Sequence, residues 1–164
     1  MSWAHCSQGR PLRRPDRERS VHPVQKLGGG CHCGNIRVEL ELTRSAGTYN
    51  PRACDCDFCR KHRAAYVSDP QGSLLILVRD ERDCGRYAQG SGQAELLLCR
   101  NCGVLVGPLY PEAGRLYAAV NANVVEGVAF GAQQPVSPRT LSADDKVKRW
   151  KELWFSNVTI RVNP

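Results

Sequence analysis

Seven of the nine cysteines in this 164-residue chain fall into three tight groups, and they are the residues best suited to chemistry. Cys99-Arg100-Asn101-Cys102-Gly103 places two residues between two thiols. One tight turn can then present both sulfurs to a single tetrahedral ion at about 2.3 Å. Gly103 suits a turn that needs positive φ and leaves backbone N–H groups free to point at sulfur. Such a knuckle needs two more ligands, and Cys31-His32-Cys33-Gly34 can supply them from Cys31 and Cys33. A Cys₄ zinc built this way would staple the start of the body to its middle. His32, between two ligands, is expected to point away from the metal.

The third group is Cys54-Asp55-Cys56-Asp57-Phe58-Cys59, which leaves three thiols rather than four. Three protein ligands and one open position are the arrangement of a catalytic zinc. An open zinc can take an incoming thiol, hold it as thiolate and present it as a nucleophile. Other readings stay open: Cys84 completing a Cys₄ site, a metal-free cluster, or another metal such as an iron–sulfur centre. Close by, Arg60, Lys61 and Arg63 offer a basic edge that could hold the carboxylates of an anionic thiol. His62 is the imidazole nearest in sequence and the candidate proton donor. Redox catalysis would need an activated cysteine outside the ligand groups, and only Cys6 and Cys84 remain, neither in a cationic or CxxC setting.

The elements that must position these groups read as mainly β. Ile36, Val38, Leu40 and Leu42 alternate with Arg37, Glu39 and Glu41, the period of a half-buried strand. Further strands are predicted over 65–67, 73–78, 85–88, 94–99, 104–110, 116–120 and 158–162. Turn signals such as Asp69-Pro70-Gln71-Gly72 and Gly90-Ser91-Gly92 separate several of them. Many short strands at this spacing predict a mainly antiparallel β fold. One short C-terminal helix is predicted over 143–151 with Ser142 as N-cap, and residues 131–141, holding Pro135 and Pro138, read as a loop. Trp150 and Trp154, four apart, would share a helix face.

Composition sets the remaining bounds. The chain is 41% apolar, 24% charged and 7% aromatic, which excludes a disordered chain, a collagen repeat and a coiled coil. Its apolar runs fall far short of the ~18 residues that span a bilayer, so no membrane partner is expected. No apolar stretch follows the N-terminal basic residues, so no secretory leader is expected and the location is expected to be cytoplasmic, with thiols reduced. Residues 1–26 hold six basic against two acidic residues, a large share of the net charge of +7. They are read as a basic, flexible extension, and nucleic acid is not the expected partner. Residues 27–164 are read as a single zinc-binding β domain.

Three ordered motifs, Gly30-Cys31-His32-Cys33-Gly34 with its following strand, Cys54-Asp55-Cys56-Asp57-Phe58-Cys59-Arg60-Lys61, and Tyr87 through Cys99-Arg100-Asn101-Cys102-Gly103, resemble the glutathione-dependent formaldehyde-activating enzyme family, which also contains centromere protein V. The likeness runs over roughly residues 27–155. It implies tent-like antiparallel sheets stapled by a structural zinc at Cys31, Cys33, Cys99 and Cys102. It implies a second zinc at Cys54, Cys56 and Cys59, hence two Zn²⁺ per chain. For the enzyme branch it implies a carbon–sulfur lyase that joins glutathione, or another small thiol, to formaldehyde or another small aldehyde. The alternative is a non-catalytic zinc-stapled binding module of the same family. Leu96 and Leu98 stand where that family often carries Arg and Phe, and Arg63 where it often carries Gly.

Overall fold

The computed structural model describes residues 24–163. The basic N-terminal stretch, with His5 and Cys6, lies outside the described residues except for its last three. Twelve strands and two α-helices follow in order: β1 (Gln25–Gly30), β2 (Ile36–Leu42), β3 (Arg52–Cys54), α1 (Asp57–Lys61), β4 (Ala65–Val67), β5 (Ser73–Val78), β6 (Cys84–Ala88), β7 (Glu95–Cys99), β8 (Leu105–Glu112), β9 (Arg115–Ala118), β10 (Val120–Asn121), β11 (Gln134–Val136), α2 (Ala143–Leu153) and β12 (Asn157–Val162). They form three four-stranded sheets, ordered β1-β2-β5-β12, β10-β4-β3-β11 and β6-β7-β8-β9.

The fold is mainly β and mainly antiparallel, as the many short strands at regular spacing predict. Two pairings are parallel: β12 on β5 and β11 on β3. Period-2 patterning gives a strand's faces but not the direction of its partner, so those two were not legible. β2 shows the physics most directly. Ile36, Val38, Leu40 and Leu42 are buried while Arg37 and Glu39 are exposed. Those four side chains meet Leu74, Ile76 and Val78 of β5, with Leu97, Leu109 and Phe155 closing the main core. A second apolar cluster gathers Tyr66, Leu96, Leu105, Tyr117 and Trp154 around Cys59.

Three short strands escape the sequence pattern. β1 contains Gly28-Gly29-Gly30, which has no side chains to alternate, and it starts at Gln25, inside the stretch read as an extension. A Cβ at Gly29 would collide with the Val124 carbonyl, so the close backbone approach there requires glycine. β3 has three residues, too few for a period. β11 crosses the stretch read as a loop, and its Pro135 is tolerated because β11 is an edge strand. α2 begins where predicted: the Ser142 side chain accepts from the Asp145 backbone N–H at 3.1 Å. No helix among the described residues is long and apolar enough to cross a membrane.

Candidate functional site

Cys31 and Cys33 sit in the turn from β1 to β2; Cys99 ends β7 and Cys102 lies in the turn to β8. Both turns are built alike. Gly34 (φ 73°) and Gly103 (φ 75°) take the left-handed conformation that each tight reversal needs. The Gly34 N–H donates to the Cys31 carbonyl and the Gly103 N–H to the Cys99 carbonyl, at 3.0 and 2.8 Å. The Ile36 N–H is left to donate to Cys31 Sγ at 3.2 Å.

The four sulfurs lie within 4.8 Å of one another, with Cys31 to Cys33 at 3.7 Å and Cys33 to Cys99 at 3.5 Å. A tetrahedral ion 2.3 Å from each sulfur would space them by roughly 3.8 Å, so the donor set fits zinc. The thiols also show why a cation belongs there. The Asn35 N–H pulls Cys33 down to about 6, while burial pushes Cys99 up to about 12. Four clustered thiols cannot all ionise without a positive charge among them. Exposed His32 stays off this group, as expected.

The second group is more compact in sequence. Cys54 ends β3, Cys56 caps α1, and Cys59 lies inside its single turn and a half. Their sulfurs again lie within 4.8 Å of one another. Cys56 Sγ accepts from the Cys59 N–H at 3.5 Å and from Gln89 Nε2 at 3.4 Å. Cys59 Sγ is 3.1 Å from the buried Tyr66 hydroxyl. Hydrogen bonding to Cys59 draws Cys54 down to about 6 and pushes Cys59 up. Cys84, which could have completed a fourth ligand, is not among these thiols. It pairs with Cys99 across β6 and β7 and packs at the edge of the main core.

All three sulfur-bearing residues line a pocket of about 180 Å³. Its other walls are apolar and cationic. Trp150 and Trp154 stack at 5.1 Å, and Arg52, Arg139, Lys146 and Arg149 bring positive charge. Arg139 Nε lies 3.3 Å from Asp55 Oδ2, while the other Asp55 oxygen is buried without a hydrogen-bond partner.

The basic residues expected here are elsewhere. Arg60, Lys61 and Arg63 are exposed and do not line the pocket. His62 caps the C-terminus of α1 and lies tilted against Phe58, centroids 4.6 Å apart, while Tyr87 stacks on Phe58 at 4.9 Å. None of these rings lines the pocket. Within α1 only Cys59 is buried, Arg60 and Lys61 stand exposed beside it, and Arg63 lies past the helix end at positive φ. Sequence proximity to the triad was therefore a poor guide. The cations that do reach the pocket are Arg52 of β3 and, far along the chain, Arg139 of the turn before α2 and Lys146 and Arg149 of α2. The Ser142 cap and the i, i+4 spacing of its tryptophans announced α2, but neither announced that its cations reach the triad.

A crystal structure of a Rhodobacter sphaeroides protein is similar at 29% identity, with 62% of this chain and 90% of that chain covered and a TM-score of 0.48. The sequence description of the glutathione-dependent formaldehyde-activating enzyme family matches residues 26–140. That stretch holds both thiol groups and every strand from β2 to β11, and the chain belongs to the glutathione-dependent formaldehyde-activating enzyme family.

Proposed function

We propose that this protein joins a small thiol to a small aldehyde, with glutathione and formaldehyde as the reference pair, and so acts as a zinc-dependent carbon–sulfur lyase. One observation carries the reading: a three-thiol group, one ligand short of a closed zinc site, lines a pocket that also holds cations and aromatic walls. Family membership points the same way. Zinc at Cys54, Cys56 and Cys59 would supply an open position in which an incoming thiol is bound as thiolate.

The chain's own groups do the rest. Tyr66 and Gln89 fix the sulfurs of Cys59 and Cys56 by hydrogen bonds. The paired indoles of Trp150 and Trp154 keep water off one side of the pocket. The pocket cations offset the negative charge that three or four thiolates bring. In the overall reaction the sulfur–carbon bond forms, the carbonyl π bond breaks, and the thiol's proton ends on the former carbonyl oxygen. Free thiol is only a few per cent thiolate at neutral pH, so holding it deprotonated raises the rate directly.

Calorimetric titration of the zinc-loaded chain with glutathione, in buffers of different ionisation enthalpy, should show binding with proton release. Adduct formation with formaldehyde should then outrun the uncatalysed reaction. No binding at millimolar thiol, or an unchanged rate, would leave a zinc-stapled binding module instead.

A further inference from the structure

The helix that closes the pocket, α2, lies beyond residues 26–140, the stretch that carries the family match. Its pocket face holds Lys146, Arg149 and Trp150, at the i, i+3 and i+4 spacing that puts side chains on one side of a helix. Arg52, two residues before Cys54, lines the same pocket from β3. The Arg52 guanidinium donates to Ser68 Oγ, and Ser68 Oγ donates to the Leu153 carbonyl at 2.6 Å. That chain of hydrogen bonds ties the sheet end bearing the triad to the last turn of α2.

The charges around this pocket are not balanced. Among the described residues Arg52, Lys146 and Arg149 make no ion pair, and no acidic side chain lines the pocket. Arg139 is already matched to Asp55. Arg52 and Arg149 are both partly buried and face the same cavity, one from the sheet and one from the helix. Two half-buried like charges beside one cavity are unfavourable alone and favourable around an anion.

We propose that Arg149 of α2 and Arg52 of β3 clamp a carboxylate of the incoming thiol, which makes α2 the element that selects anionic thiols; this rests on the thiol–aldehyde reading above. Guanidinium forks match carboxylate geometry through paired hydrogen bonds. Trp150 gives the thiol's carbon chain an apolar wall between the carboxylate and the triad. Lys146 adds a compact charge one helical turn from Arg149.

The test is calorimetric titration of the zinc-loaded full-length chain with glutathione, glutathione diethyl ester and S-methylglutathione. Glutathione should bind at least about tenfold tighter than the ester, which keeps the thiol but lacks free carboxylates. Arg149→Gln should erase that difference and leave the ester unaffected; Arg149→Lys should restore part of it. S-methylglutathione, which has no free thiol, should bind more weakly than glutathione and still lose affinity in Arg149→Gln. The double change Arg60→Gln with Lys61→Gln should alter none of the three. Equal affinity for glutathione and ester, or an equal loss for both in Arg149→Gln, would overturn the clamp and leave the thiol reading standing. Arg149-dependent binding of S-methylglutathione with no adduct from glutathione and formaldehyde would keep the clamp and overturn the thiol reading. No binding of any probe would overturn both.

Discussion

Two thiol groups in one chain have nearly the same internal spacing and opposite relations to the fold. Cys31, Cys33, Cys99 and Cys102 join two hairpin turns whose nearest thiols are 66 residues apart in sequence. Cys54, Cys56 and Cys59 come from the end of one strand and the helix beside it. A metal in the first group closes a long loop and links the β1-β2-β5-β12 sheet to the β6-β7-β8-β9 sheet. A metal in the second closes almost nothing, and its fourth side faces a pocket. Sequence span, more than ligand type, separates a staple from a working site.

The hardest test of that contrast is Cys102→Ser. Binding free energy at a closed structural zinc is largely folding free energy, on the order of 10 kcal/mol in zinc-finger peptides. A domain of ordinary net stability, about 5–15 kcal/mol, does not survive that loss. The variant should be insoluble or lack a cooperative thermal transition. A variant with wild-type melting temperature and zinc content would overturn the Cys₄ assignment.

Cys56→Ser should do much less. It should lower the zinc content by at most one per chain and the melting temperature by roughly 4–8 °C, the shift that ~2 kcal/mol produces in a domain this size. Elemental analysis and calorimetry on the two variants side by side read the asymmetry. If Cys56→Ser unfolds the chain as badly as Cys102→Ser, both metals are staples and the pocket loses its chemistry.

The same contrast explains what the sequence could and could not reveal. The thiols stand in three local motifs of at most six residues, so the cysteines that the fold gathers were legible as candidates. β2 and β5 were legible because each has a solvent face and a core face, or a long apolar run. The pocket was not, because its cations stand on different elements: Arg52 on a three-residue strand, Arg149 on a helix 97 positions later. Neither carries a local signal of its destination. Arg60, Lys61, His62 and Arg63 carried the stronger local signal and point away, since sequence proximity does not specify which face of α1 a side chain occupies.

The smallest effect separates the two regions by backbone alone. Each group is followed by a residue in the left-handed conformation, but the residue types differ. After Cys102 it is Gly103, at φ 75°; after α1 it is Arg63, at φ 47°. A side chain in that region costs roughly 1–2 kcal/mol, which glycine avoids. Arg63 is exposed and makes no ion pair among the described residues. The hydrogen bonds it does make, its N–H donating to the Arg60 carbonyl at 3.1 Å and its carbonyl accepting from Asn123 Nδ2 at 3.0 Å, use backbone atoms that glycine would keep. Arg63→Gly should therefore relieve the strain, offset in part by the ~0.4–1 kcal/mol of extra freedom glycine has in the unfolded chain. The net gain should be between about 0 and 1.6 kcal/mol, a rise of at most roughly 3–6 °C in melting temperature. Gly103→Ala should move the other way by about 1–2 kcal/mol. No atom lies within 4 Å of a Cβ added there, so the loss would be conformational rather than a clash. Calorimetry on the two single variants reads the opposite signs. If Arg63→Gly destabilises the chain, the Arg63 side chain holds something that outweighs its strained backbone, and α1 is anchored by more than its thiols.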